Sequence, residues 1–302
     1  MITARDLAND LAKVYRGPST AIDLLLIAWL ARGHALVEDI PGVGKTTLAR
    51  AFAAATGGTF RRLQCTPDLM PSDITGVSVW DERERGFRFH PGPVFCDVLL
   101  ADELNRTPPR TQSALLEALS EGQVTVEGEP RALPSRFFCI ATQNPHDQVG
   151  TYPLPDSQRD RFLLCFALGY PSAEDEARLY RHDGAARALE DLRPRTDGAR
   201  LEALRTACTQ VRVDDRVREY LLAVVRATRT ARGVVQGASP RAGLGLQRAA
   251  QAHALLNGRD FTIPEDIQAV AAPCLAHRLS VRPGVAPASV VDGVLDGVPV
   301  PR

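Results

Sequence analysis

The sequence predicts an α/β fold: an αβα core built on a parallel sheet, followed by a small α-helical domain. Three observations carry this. A short β-like run, a glycine-containing loop and a helical stretch follow one another over residues 35–55, the order that presents a phosphate-binding loop. Further apolar strings at 60–63, 98–101 and 137–141 are separated by helical stretches, as expected of strands joined by crossover helices. Beyond Tyr170 and Pro171 the chain turns rich in Ala, Leu and Arg at helical spacing. The core is therefore expected over residues 1–169 and the helical domain over 170–302.

Each element has its own justification. Residues 21–32 carry apolar positions at helical spacing and run into Ala35, Leu36 and Val37, the first expected strand. A helix is expected from about Thr46 to Ala55. The strands are almost continuously apolar, which fits burial on both faces of the sheet. Two segments read as inserted hairpins: 77–80 with 87–89 around a charged turn through Gly86, and 123–126 returning from Glu127 and Gly128 toward Phe137. Helices are expected in the second part near 173–189, 200–209, 214–230, 241–256 and 264–271, with a short docking helix over 289–295.

Composition narrows the class. The 302 residues hold 44% hydrophobic and 24% charged side chains, the profile of a soluble globular protein. Thirty-six basic residues balance 36 acidic ones, so no overall field favours nucleic acid or an anionic membrane. The apolar run at 21–31 is too short to span a bilayer and carries Asp23; no membrane insertion is expected. Six cysteines lie far apart without a C-x-x-C pair and read as buried thiols in a reducing cytoplasm.

Only two lysines occur, Lys13 and Lys45, against 34 arginines. Lys45 sits in the string Pro41, Gly42, Val43, Gly44, Lys45, Thr46, Thr47. A compact ammonium on a flexible stem reaches the β/γ-phosphates of a nucleotide, where a planar guanidinium fork does so poorly. Asp39 stands where the usual signature has its first glycine. Gly42 and Gly44 still let backbone N–H groups fold around phosphates, and Thr46 offers a hydroxyl to Mg²⁺. A second string, 98–103, is an apolar strand ending in Asp102 and Glu103. Side chains alternate along a strand, so the two carboxylates are expected to diverge: Asp102 toward Mg²⁺, Glu103 toward the water that attacks the γ-phosphate. The strand at 137–141 delivers Asn144 to its end, placed to bond that water or the γ-phosphate. Arg159 and Arg161 follow on a short helical segment; Arg161, fixed against the apolar run 163–165, is the better candidate to reach a neighbour's nucleotide. Arg241 opens a helix of the second domain behind Ser239 and Pro240.

Taken together, these strings resemble the MoxR-type ATPases of the AAA+ superfamily, in its helix-2-insert clade. The resemblance rests on residues 33–47, 64–76, 101–106, 112–121, 141–145, 150–155, 160–162 and 239–241. Arg159, Arg16 and Pro18 depart from the family's pattern. The resemblance implies a P-loop NTPase core with a helical lid, and ATP and Mg²⁺ as cofactors. The hairpins become the helix-2 insert and the pre-sensor-1 hairpin. Asn144 becomes sensor 1, Arg161 the arginine finger and Arg241 sensor 2, and Val14 to Gly17 fall where the family contacts adenine. It further implies a homo-oligomer, usually a hexameric ring, that hydrolyses ATP as a chaperone in the maturation of client proteins. A partner bearing a von Willebrand factor A domain is often associated with it. The alternatives are a metal-chelatase motor subunit and a nucleotide-gated switch with little hydrolysis.

Overall fold

The computed structural model describes residues 2–145, 150–180 and 184–301. The chain opens with α1 (Ala4–Val14), entered through a capping box in which Thr3 and Asp6 exchange hydrogen bonds. Next come α2 (Ser19–Leu30), β1 (Ala35–Glu38), α3 (Lys45–Thr56) and β2 (Phe60–Gln64). An insert of α4 (Pro71–Thr75) and the hairpin β3 (Gly76–Asp81) and β4 (Gly86–Pro91) precedes β5 (Val98–Asp102). Then follow α5 (Pro109–Glu121), the hairpin β6 (Gln123–Val126) and β7 (Glu129–Ala132), β8 (Phe138–Gln143), α6 (Asp156–Arg159) and β9 (Leu164–Phe166). The helical part comprises α7 (Ala173–Leu179), α8 (Gly184–Asp191), α9 (Gly198–Gln210), α10 (Asp215–Ala227), β10 (Val234–Gln236), α11 (Pro240–Leu256), α12 (Pro264–Leu275), β11 (Ser280–Val281) and α13 (Pro287–Gly297).

The main sheet has five parallel strands in the order β2-β5-β8-β1-β9. Alternate residues of its central strands feed two separate cores. Ala35, Val37, Val98, Leu100, Phe138 and Ile140 pack with α1, α2, α3 and the lid. Leu36, Leu99, Ala101, Cys139 and Ala141 pack on the side of α5 and the hairpins. Both faces are dry, which is why these strands carry unbroken apolar strings. At the centre, Phe52 meets Trp29 edge-on at 5.6 Å and Phe138 at 5.3 Å between ring centroids. Fully burying one such ring contributes about 1.5–3 kcal/mol.

Several expectations need correction. β2 is not buried on both faces: it is an edge strand in which only Leu63 is buried, and Arg61 and Arg62 are exposed. The fifth strand, β9, read only as an apolar run, because three residues are too few to show alternation. The structure adds the helix α1 and the small β10–β11 pair, and it ends the second hairpin at Ala132, short of Phe137. The helix expected over 173–189 is two helices, and residues 181–183 between them lie outside the described residues. The tail helix is present as α13.

The lid lies on the core: Arg278 donates to the Phe162 carbonyl at 2.7 Å, and apolar residues of α10, α11 and α12 share a core with α1 and α2. All six cysteines are free thiols, five of them buried, and burial pushes Cys65 and Cys96 up to about 12. Among the described residues no helix is long and apolar enough to cross a membrane.

His34 is a buried polar tie between sheet and α5. Its Nε2 donates to the Leu119 carbonyl at 3.1 Å, while Nδ1 accepts the Cys139 N–H at 3.1 Å. Burial lowers its pKa to about 4, and protonation would set two N–H groups against each other. A folded-state pKa below the unfolded value means stability is complete above about pH 6.5 and is lost as pH falls toward 4, costing about 3 kcal/mol. His277, lowered by burial to about 3, adds to the same trend. The urea midpoint should therefore drop between pH 7.5 and 4.5, and His34→Gln should remove a large part of that slope; an unchanged slope contradicts the assignment.

Candidate functional site

A cleft of about 400 Å³ opens at the C-terminal ends of the parallel strands, where open α/β sheets bind ligands. β1 ends at Glu38, the loop turns through residues 39–44, and α3 starts at Lys45. Gly42 and Gly44 have φ of 88° and 92°, which glycine adopts without strain. Gly44 is the N-cap of α3 and makes no side-chain cap bond, and the first residues of the helix line the cleft, an arrangement suited to an anion. Lys45 Nζ donates to the Asp39 carbonyl, curling the loop on itself. Burial lowers the Lys45 pKa, opposed by the carboxylates of Asp39, Asp102 and Glu103.

Asp39, the departure from the usual glycine, has a visible task. Its Oδ2 accepts N–H bonds from Leu168 at 2.7 Å and Gly169 at 2.8 Å, and its Oδ1 accepts that of Ile40 at 2.8 Å. The start of the phosphate loop is thereby tied to the segment that leads into the lid.

Asp102 and Glu103 do not diverge as strand alternation suggests. β5 ends at Asp102, and Glu103 takes a left-handed backbone with φ of 60°, so that both side chains line the same cleft. Buried Thr142 of β8 holds the pair: its hydroxyl donates to Asp102 Oδ1 at 2.7 Å and accepts the Glu103 N–H at 2.9 Å. From β2, Arg62 Nη2 lies 2.6 Å from Asp102 Oδ2, and Gln64 Nε2 donates to Glu103 Oε2 at 3.3 Å. Arg106 Nε stands 3.2 Å from the same Glu103 oxygen.

Of the residues nominated by sequence, Pro41, Gly42, Gly44, Lys45, Thr46, Thr47, Asp102, Glu103 and Asn144 are brought together here. Val43 is not on the cleft wall, since its side chain turns into the core. Val14 is likewise buried, and between Gly17 and Gly44 lies the ring of Tyr15, whose hydroxyl is pushed up to about 12 by burial and by Asp39. Arg161 points away from this cleft: it donates to the Leu116 carbonyl at 3.2 Å and to the Ser120 hydroxyl, near the end of α5. Arg159 stands 3.5 Å from Glu38 in an adjoining cavity shared with Asn144. Arg241 is outside too, 3.9 Å from Asp160 and more than half exposed.

Sequence reasoning missed Arg62, and named Gln64 and Thr142 only as parts of longer strings. Period-two alternation over 60–64 already sets Arg62 and Gln64 opposite Leu63, at the strand end where the chemistry collects. A wider apolar cavity of about 540 Å³ between α10 and α13 has no comparable convergence of polar groups.

Residues 34–164 match the family described as ATPase family associated with various cellular activities (AAA), and residues 226–294 match the AAA lid domain. The chain is 45% identical to the YeaC protein of Bacillus subtilis, over 92% of this chain and 88% of that one. It is 38% identical to the chaperone MoxR1 of Mycobacterium tuberculosis, over 97% and 81%. A solved structure of a candidate ATPase from Cytophaga hutchinsonii superposes with a TM-score of 0.89 at 33% identity, over 98% of this chain and 94% of that one. Phosphate loop, paired strand-end carboxylates and helical lid thus define an ATPase of the AAA class. Within that class, the chain belongs to the MoxR-type AAA+ ATPases.

The Asp39 anchor is directly testable. A carboxylate accepting three backbone N–H groups contributes roughly 1.5–3 kcal/mol. Asp39→Asn, with one acceptor oxygen fewer, should lower the denaturant midpoint accordingly, and Asp39→Gly, which restores the usual glycine, should lower it at least as far. Equal stability of all three proteins contradicts the tie.

Proposed function

We propose that this chain hydrolyses ATP to ADP and phosphate with Mg²⁺, and that it works as a chaperone-type motor in the maturation or assembly of client proteins. The supporting observation is the convergence of Lys45, the adjacent Asp102 and Glu103, and Asn144, from three separate stretches of sequence, on one cleft. Lys45 binds the β/γ-phosphates and the α3 start cradles them. The donor set suits Mg²⁺: Thr46 offers a hydroxyl and Asp102 a carboxylate oxygen, hard ligands that such an ion combines with nucleotide phosphates and water. Bound there, the ion would neutralise charge on the phosphates. Glu103 orients the attacking water and takes up its proton, while Asn144 fixes water or γ-phosphate.

Arg161 completes the site of an adjacent subunit in a homo-oligomeric ring, in keeping with its orientation away from its own cleft. Rings are general in the family; six subunits is our reading. Arg241 closes over the phosphates as the lid moves, with Val14 and Gly17 on the adenine side and the Val43 backbone within the phosphate loop. Core and lid divide near residues 169 and 170, where Asp39 holds the chain. The chaperone reading draws on the name of MoxR1, and a von Willebrand factor A-domain protein is the partner class to seek, in the cytoplasm.

Glu103→Gln should keep nucleotide affinity by calorimetry while phosphate release falls at least about 100-fold; undiminished turnover would leave the switch reading instead. Lys45→Ala should lose nucleotide binding, and retained micromolar affinity speaks against the phosphate loop. Arg161→Ala should bind normally yet turn over about 10³-fold more slowly. Mixing it with Glu103→Gln should restore part of the activity; intact rings without rescue count against a shared site.

A further inference from the structure

Arg62 has no part in the reading above, yet it holds the carboxylate that the reading assigns to the metal. It sits on the edge strand β2, in register with Leu100, two residues before Gln64, which pairs with Asp102. Its Nη2 lies 2.6 Å from Asp102 Oδ2 and donates to Gln64 Oε1 at 2.9 Å. The other Asp102 oxygen already accepts the Thr142 hydroxyl at 2.7 Å. Both oxygens of a carboxylate only 15% exposed are thus engaged, one by a neutral donor and one by a full positive charge.

A divalent cation coordinating Oδ2 would stand within a few ångströms of the guanidinium. Two cations at that distance repel strongly in a partly buried site, so they cannot share this oxygen. The Thr142 hydroxyl is buried and fixed, whereas the Arg62 side chain is 48% exposed and has room to swing. Arg62 lines the same cleft as Lys45 and Thr46. A guanidinium leaving Asp102 therefore has the phosphates as its next partner, for which its planar fork is matched. Gln64 has a second tie independent of Arg62, its Nε2 donating to Glu103 Oε2 at 3.3 Å.

We infer that Arg62 is a positioning residue that serves as built-in counter-ion to Asp102, competing with the metal for Oδ2 and turning to the phosphates when the metal arrives with nucleotide. This rests on the nucleotide-site reading above. It makes metal binding depend on nucleotide: the cation alone must evict Arg62 unaided, whereas the metal–nucleotide complex offers the displaced charge a new anion.

The test is Mn²⁺ binding, read from the free-ion electron paramagnetic resonance signal, and binding of a non-hydrolysable ATP analogue in EDTA, read by calorimetry. Without nucleotide, Arg62→Ala should bind Mn²⁺ about five-fold more tightly than the unsubstituted chain, the scale of a half-exposed ion pair. Arg62→Gln, which keeps stem and hydrogen bonding, should do the same. The gain should vanish in the Asp102→Asn background, and both Arg62 variants should bind the metal-free analogue several-fold more weakly. A gain of equal size in the Asp102→Asn background means simple charge repulsion and overturns the counter-ion role, as does no gain at all. If the unsubstituted chain binds no analogue even with Mg²⁺, the site reading falls and this inference with it; normal analogue binding with unresponsive Arg62 variants sinks this inference alone.

Discussion

A parallel sheet buried on both faces leaves its polar chemistry one place to go. Along β1, β5 and β8 every apolar residue packs into one core or the other. Charged and amide groups are tolerated only where the strands run out, and connections in this topology bring the C-terminal ends to one side. Glu38, Asp102 and Gln143 mark those ends, and the residues just past them form the cleft. The burial constraint therefore assembles the site before any specific contact does so, and Thr142, Asp39 and the left-handed turn at Glu103 refine what burial has gathered.

Much of this was legible because the signals were local. The glycine loop, its lysine and the acid pair are contiguous strings, and each sits between a strand and a helix whose patterns are strong. The hairpins showed themselves by alternation around charged turns. What escaped was non-local. Arg62 looks like one arginine among 34 until β2 is laid beside β5. Thr142 is a small polar residue at the end of an apolar run, and only strand pairing shows that it bridges Asp102 and the Glu103 backbone. Likewise β9 is too short to announce itself and becomes a strand because β1 offers it an open edge.

The one departure from the familiar loop signature also looks different in three dimensions. Glycine at position 39 would serve only flexibility, whereas the carboxylate there fastens the loop's first residue to Leu168 and Gly169. Substitution of a motif residue has in this case added a mechanical connection between the glycine loop and the segment that leads toward the helical part. Sequence comparison scores such a change as a loss, and geometry reads it as a linkage.

The scarcity of lysine has a chemical corollary. Side-chain amines are confined to Lys13, which is exposed beside Asp10, and Lys45, which is half-buried with its proton affinity reduced. Acylating agents and lysine-modifying enzymes, which on most proteins scatter over dozens of sites, would find a single consequential target here. Capping that nitrogen would remove the charge on which the proposed phosphate recognition depends, so under that proposal amine acylation of this molecule would amount to an all-or-none veto on nucleotide use.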